Sequence, residues 1–290
     1  MPLACLDDRA IVRVAGPEAE TFLQNIITAD MAGLTAAGIA YGGLLTPQGK
    51  ILFDFLIHDR PQGDDGSGRA FVFDLPAGQA EGFIKRLGFY RLRAKVDIAL
   101  AEDLAVFAAW PNGDTVPAEA RSDPRLEALG RRWTAEPGSV ATNATCGDWH
   151  AHRIALVVPE GGVDFVLSEA FPYDAAMDAL NGIAFAKGCY IGQEVVSRMQ
   201  HRGTARRRIV ALAADGPLPE PGADITMDGR PIGRLGSSIG PHGIGLVRLD
   251  RLGAGIAGGA SVLAGDILVR ATLPDWATYD WPDAPGANEG

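Results

Sequence analysis

The chain has 290 residues, 47% of them hydrophobic, enough for one large domain or two smaller ones with a full core. Its formal charge is −10, which excludes a general polyanion binder, so any nucleic-acid contact has to come from a local basic patch.

The opening MPLACLDDRA has neither a basic start nor an apolar stretch of signal type, and no apolar run approaches the roughly 18 residues that span a bilayer. Three scattered cysteines, Cys5, Cys146 and Cys189, show no C-x-x-C spacing. The expectation is a reduced, cytoplasmic protein with no membrane segment, in which Cys5 and Cys146 are plain small hydrophobes. Residues 9–15 (RAIVRVA) read as a strand. PEAETFLQNIIT follows as a helix with Pro17 near its start and Phe22, Leu23, Ile26 and Ile27 as its apolar stripe. AYGGLL and KILFDFLIHD read as strands joined by the tight connection TPQG. Within the second, Asp54 shares a face with Leu52, Leu56 and His58. From the residues alone it is an exposed group on a solvent face; the competing reading is a semi-buried carboxylate with a task.

PQGDDGSG (61–68) reads as a surface loop whose glycines do not form a phosphate-binding pattern. RAFVFDLP is a predicted strand, AGQAEGFIKRLGFY a helix, and RLRAKVDIAL and DLAVFAAW further strands. Proline and glycine break the pattern over 111–150, and DAAMDALN (174–181) is a short helix at best. This is α+β order, mixed sheets and helices without a regular βαβ cadence. After Arg208, the runs IVALAA, ADITM, PIGRLGSS, GIGLVRL and DILVRATL alternate with Pro/Gly turns, the pattern of a small β-barrel. The expected domains are 1–204 and 205–290.

Chemistry concentrates in FAKGCYIGQEVVSRMQHRGTARRR (185–208). Gly188 and Gly192 bracket Cys189, Tyr190 and Ile191 and imply a backbone bend. A helix starts at Gln193, with Val195, Val196 and Met199 on its apolar side. The thiol then precedes a helix N-terminus, near Lys187 and the arginines, which favours the thiolate and suits a nucleophile, redox group or soft-metal ligand. A buried structural cysteine in a glycine-rich turn is the alternative. Arg198, Arg202, Arg206, Arg207 and Arg208 form either a solvated surface run or a docking patch for tRNA or an acidic partner. His58, His150, His152, His201 and His242 are too scattered to assign a catalytic pair.

Lys187 to Glu194, K-G-C-Y-I-G-Q-E, followed by Arg198, closely resembles the signature of the YgfZ family of folate-binding proteins. That family's relatives include mitochondrial iron–sulfur assembly factors and, more distantly, the glycine-cleavage T-protein, an aminomethyltransferase. Residues 14–30 and 41–57 resemble the superfamily's opening, and the likeness continues loosely into the C-terminal strands. The resemblance implies a T-protein-like domain with a tetrahydrofolate pocket, followed by a β-barrel. It also implies a role in assembling or repairing iron–sulfur clusters, reaching tRNA modification through cluster-dependent enzymes, with iron–sulfur assembly or client proteins as partners. Carried over by position, Cys189 becomes the motif thiol, with Lys187, Tyr190, Gln193, Glu194 and Arg198 around it. Tyr41 matches a folate-contacting tyrosine, and Asp54 a catalytic aspartate.

Two departures argue against ordinary T-protein catalysis. Phe53-Asp54 stands where the T-protein has paired acids, and Arg153 to Val157 lacks the carboxylate that would accept from the pterin's N–H groups. A one-carbon transferase using Asp54 remains the alternative function, and enzymatic turnover is left open. A tRNA- or partner-docking module is a third reading, which the acidic net charge weighs against.

Overall fold

Strands of alternating and fully apolar pattern build the first part of the molecule, in the order β1 (Leu3–Cys5), β2 (Arg9–Ala15), helices α1 (Ala19–Gln24) and α2 (Met31–Ala37), β3 (Ile39–Leu45), β4 (Ile51–Arg60), β5 (Ala70–Pro76) and α3 (Ala80–Arg91). They continue through β6 (Asp97–Leu100), β7 (Ala105–Ala109), β8 (Arg121–Ser122), β9 (Arg131–Ala135), α4 (Cys146–Ala155) and α5 (Gln193–Arg202). The computed structural model describes residues 1–60, 69–111, 116–203 and 205–281, so the expected loop 61–68 lies outside the described residues.

Residues 1–150 and 180–195 form one compact unit; residues 151–179 and those from 196 onward form another. In the first unit, an antiparallel sheet of order β3-β4-β5-β2-β6 accompanies a second sheet of order β1-β7-β9-β8. The larger sheet packs one face on Phe83 and Leu87 of α3 and on Phe22 and Leu23 of α1. Phe53, Phe55 and Phe73 meet Phe83 with ring centroids 5.1–5.4 Å apart. Tilted and edge-on pairs of this kind favour the ring quadrupoles as well as burying area. Asp30 caps α2 by accepting from the Gly33 amide at 3.0 Å.

Several expectations are corrected here. The strand expected over 91–100 starts only at Asp97, because Leu92 takes φ +46° and turns the chain after α3. DAAMDALN forms successive turns rather than a helix. Positive φ at Ala176 and Asn181 interrupts a helical ladder, and the Asp174 carboxylate accepts from the Phe171 amide instead. The weak region 111–150 contains β8, β9 and the start of α4. Short β1 and α2 are shorter than the windows over which strand or helix periodicity can be read.

In the second unit, β10 (Arg207–Ala213), β11 (Asp224–Met227), β12 (Arg230–Ile239), β13 (His242–Arg248), β14 (Val262–Ala264) and β15 (Ile267–Thr272) close a barrel of order β10-β13-β12-β11-β14-β15. Helix α6 (Leu249–Ala257) adds Leu249 and Leu252 to a core of Val210, Leu212, Ile225 and Val247. All six barrel strands follow residue 205, while 151–179 and 196–203 cluster with them. Among the described residues no helix is long and apolar enough to cross a membrane.

Candidate functional site

The bend expected around Cys189 is a loop fixed at both ends. Upstream, the Lys187 ammonium is buried and donates to the carbonyls of Ile27 and Ala29 at 2.8 and 2.6 Å. Burial pushes its pKa down to about 8, with Asp30 opposing the shift. The sequence reading placed this charge beside the thiol; in the fold it is directed at two backbone carbonyls and the buried Tyr190 ring, 5.5 Å away. Downstream, Gly192 has φ +83°, and a Cβ there would lie 2.6 Å from the Thr46 carbonyl oxygen. Gly49 (φ +76°) receives it, in the turn between β3 and β4, and a Cβ on Gly49 would lie 2.8 Å from Cβ of Val195. Two missing side chains thus let the loop seat on that turn. Between these anchors Cys189 is exposed.

Thr28 is a site residue that sequence reasoning missed. Its hydroxyl donates to Gly182 O at 2.6 Å and accepts from the Gly43 amide at 2.8 Å, and its carbonyl accepts from Ala184 N at 3.0 Å. It therefore ties the segment leading into the Cys189 loop to β3. A single threonine gives no pattern by which to find it.

Asp54 is 5% exposed, so the solvent-face reading is overturned. Both faces of β4 are covered. Phe55 and Ile57 enter the core on one side, while Asp54, Leu56 and His58 are buried on the other. Asp54 Oδ2 accepts from the Tyr41 hydroxyl at 3.2 Å. The Arg125 guanidinium lies 5.8 Å from the Tyr41 ring centre and is held by Asp123 through bonds of 2.9 and 2.7 Å. Further along the same face, Asp74 accepts from Nε of Arg9 and of Arg132, both at 2.6 Å. Burial alone would raise the Asp74 pKa, but the two guanidiniums hold it well below the usual carboxylate range. Asp54 lies three residues past the first residue of β4, about 10 Å of strand from the turn that seats Gly192.

The remaining motif residues are spread along α5. Gln193 opens the helix with its amide donating to Tyr190 O at 3.2 Å, and Glu194 and Arg198 are exposed. The arginine run is not one uniform surface. Arg202 and Arg206 are exposed, but Arg207 pairs with Asp174 at 2.7 Å and Arg208 with Asp178 at 2.8 Å. Arg208 also lies between the Tyr173 and Tyr279 rings. Of the two departures from the T-protein pattern, Phe53 serves the aromatic core, and Arg153 is buried on Asp164 at 2.8 Å. Cys146 is no plain hydrophobe, since its thiol donates to Asp8 at 3.0 Å.

Residues 206–279 match the family described as the CAF17 C-terminal beta-barrel domain. The chain is 31% identical over 313 aligned positions to the mouse protein named iron-sulfur cluster assembly factor IBA57, mitochondrial, an overlap of 96% of this chain and 85% of the relative. The human protein of that name is 30% identical over 307 positions, covering 96% and 84%. In three dimensions the chain is similar to the crystal structure of glycine cleavage system aminomethyltransferase T from Bartonella henselae, with TM-score 0.69 over 94% of this chain and 84% of that one at 16% identity. The fold is therefore that of the aminomethyltransferase. The relatives carry the IBA57 name rather than that of YgfZ. On its identity and coverage with these relatives, the chain belongs to the IBA57/CAF17 family of iron–sulfur cluster assembly factors.

Proposed function

We propose that this chain serves the assembly or repair of iron–sulfur clusters through the thiol of Cys189, and that tetrahydrofolate binds at Tyr41 and Asp54. The observation that carries the reading is an exposed cysteine on a loop fixed upstream by Lys187 and downstream by Gly192. One thiolate supplies one ligand, whereas a cluster takes about four. The cluster is cargo, and its other ligands come from an assembly or client protein. Modification of tRNA follows indirectly, through enzymes that need clusters; direct RNA binding is disfavoured by the net charge of −10. Three free cysteines suit any reducing compartment, the cytoplasm or the matrix of the mitochondrion for which the relatives are named.

The Asp54 carboxylate and Tyr41 hydroxyl fit a reduced pteridine, because a buried carboxylate accepts from ring N–H groups and the phenol donates or accepts beside it. When bound, the cofactor supplies a one-carbon carrier. The same pair favours the second reading, one-carbon transfer with Asp54 holding the proton. Replacing Cys189→Ser separates the two. Cluster assembly predicts that client enzymes lose their activity in complemented cells while the variant melts at the wild-type temperature. Retained client activity would reject the thiol's role. Loss of aminomethyl-donor turnover in Asp54→Asn, with Cys189→Ser still active, would establish the transferase instead. Titration with tetrahydrofolate should weaken at least tenfold in Asp54→Asn, and unchanged affinity would remove the assigned folate contact.

A further inference from the structure

Cys146 and His150 stand one helical turn apart on α4 and point to the same place, the spacing that puts two side chains on one face. Asp8, from the turn between β1 and β2, meets both. Its Oδ1 accepts from Cys146 Sγ at 3.0 Å, and its Oδ2 lies 2.7 Å from His150 Nε2. One ligand atom from each residue lies within 4.8 Å of the other two. A tetrahedral zinc ion with ordinary bond lengths sets its ligand atoms about 3.3–3.6 Å apart, a separation inside the span of this cluster.

The scaffold beneath the cluster is already fixed. Thr145 and Asp148 make a reciprocal cap at the start of α4: the Asp148 carboxylate accepts from the Thr145 amide at 2.8 Å and hydroxyl at 2.7 Å, and the Asp148 amide donates back at 3.1 Å. Leu3 on β1 donates its amide to Asn143 Oδ1 at 2.8 Å and accepts from the amides of Asn143 and Ala144 at 3.0 and 3.1 Å. The two segments that present the three ligands are therefore stitched together beside them. The group is partly open to solvent, with the His150 and Asp8 side chains 27% and 44% exposed, which gives an ion an entry path. None of the three residues belongs to the K-G-C-Y-I-G-Q-E loop or to the Tyr41–Asp54 pair.

The geometry points to a divalent transition-metal site, of the zinc class, formed by Asp8, Cys146 and His150. Thiolate, imidazole and carboxylate together suit a borderline-soft cation over magnesium or calcium. Three protein ligands leave a tetrahedral ion one position for water or an incoming ligand. On binding, the Cys146 S–H bond breaks, a sulfur–metal bond forms and the proton passes to water; no electron changes hands.

The test uses the full chain carrying Cys189→Ser, so that the exposed thiol is silent, titrated with cobalt(II) chloride alone and then with zinc(II). One equivalent of cobalt should bind with a thiolate-to-metal charge-transfer absorption, and zinc should displace it. Adding Cys146→Ser should abolish that absorption, and His150→Ala should weaken binding at least tenfold, with circular dichroism reporting the fold. An unchanged absorption and stoichiometry in the Cys146→Ser protein, or no stoichiometric binding at all, overturns the site. Should Cys146→Ser fail to fold, iodoacetamide labelling of the Cys189→Ser protein decides. One equivalent of zinc should slow alkylation of Cys146 at least tenfold, whereas equal rates with and without zinc overturn the site.

Discussion

Single residues on the buried face of β4 show how much of this protein's electrostatics depends on pairing. His58 is buried there, and its Nε2 finds no hydrogen-bond partner among the described residues. Burial pushes its pKa down to about 4; Asp74 and Asp123 pull it up, and Arg132 and Arg60 pull it further down. The folded state thus binds this proton more weakly than the unfolded chain, whose histidine titrates near about 6.5. Stability from His58 is full above about pH 6.5 and falls as pH drops toward about 4, below which both states are protonated. The loss amounts to about 3 kcal/mol across that window. Urea midpoints measured from pH 7 to pH 4 should fall less steeply in His58→Gln than in wild type. Parallel curves would show that His58 is not the group that titrates. Asp74, held ionised by Arg9 and Arg132, does not titrate in that window.

At the scale of elements, two close-approach glycines set the loop that carries the thiol. Gly192→Ala places a left-handed φ on a residue with a Cβ, at about 1–2 kcal/mol, and drives that Cβ into the Thr46 carbonyl. Client-enzyme activity should drop at least tenfold although Cys189 is intact. Gly188→Ala is the matched control, with nothing within 4 Å of its would-be Cβ, and should behave as wild type. Equal activity of the two variants would mean that seating the loop on the turn is irrelevant to function. Gly192, the start of α5 at Gln193 and the bend around Cys189 were legible because glycine spacing and a helix start are local signals. The inward turn of Lys187 was not, since its acceptors are carbonyls about 160 residues away in sequence. The solvent-face reading of Asp54 failed for a related reason. Alternation identifies its face, but what covers that face comes from Arg125, Asp123 and β9, in the stretch where proline and glycine blur every period. Cys146 and His150 lie in that stretch too, one turn apart on a helix whose apolar pattern is too weak to mark it.

Across the whole molecule, the barrel was legible from its short strands and Pro/Gly turns, whereas the membership of 151–179 was not. That segment has little regular structure, and long-range polar contacts tie it to the strands it clusters with. Asp164 is the centre of one such tie. Its Oδ1 accepts from the Ser237 amide at 2.6 Å, and its Oδ2 accepts from Arg153 and from the Glu160 amide, both at 2.8 Å. Arg153 also donates to Val158 O and to Ser237 Oγ, each at 2.8 Å. Both charged side chains are almost wholly buried, and breaking such a pair by removing one partner ordinarily costs about 3–5 kcal/mol. Glu160 stands 4.0 Å from that guanidinium and keeps part of the balance, which places Asp164→Asn at the lower end, about 3 kcal/mol. The exposed Arg13–Asp103 pair has a similar N···O distance of 2.6 Å but is screened by water, so Asp103→Asn should cost under about 1 kcal/mol. Urea unfolding of the two variants measures the contrast directly. Equal midpoints would mean that burial does not strengthen the Asp164 tie, and that the segment 151–179 is held by its apolar contacts instead.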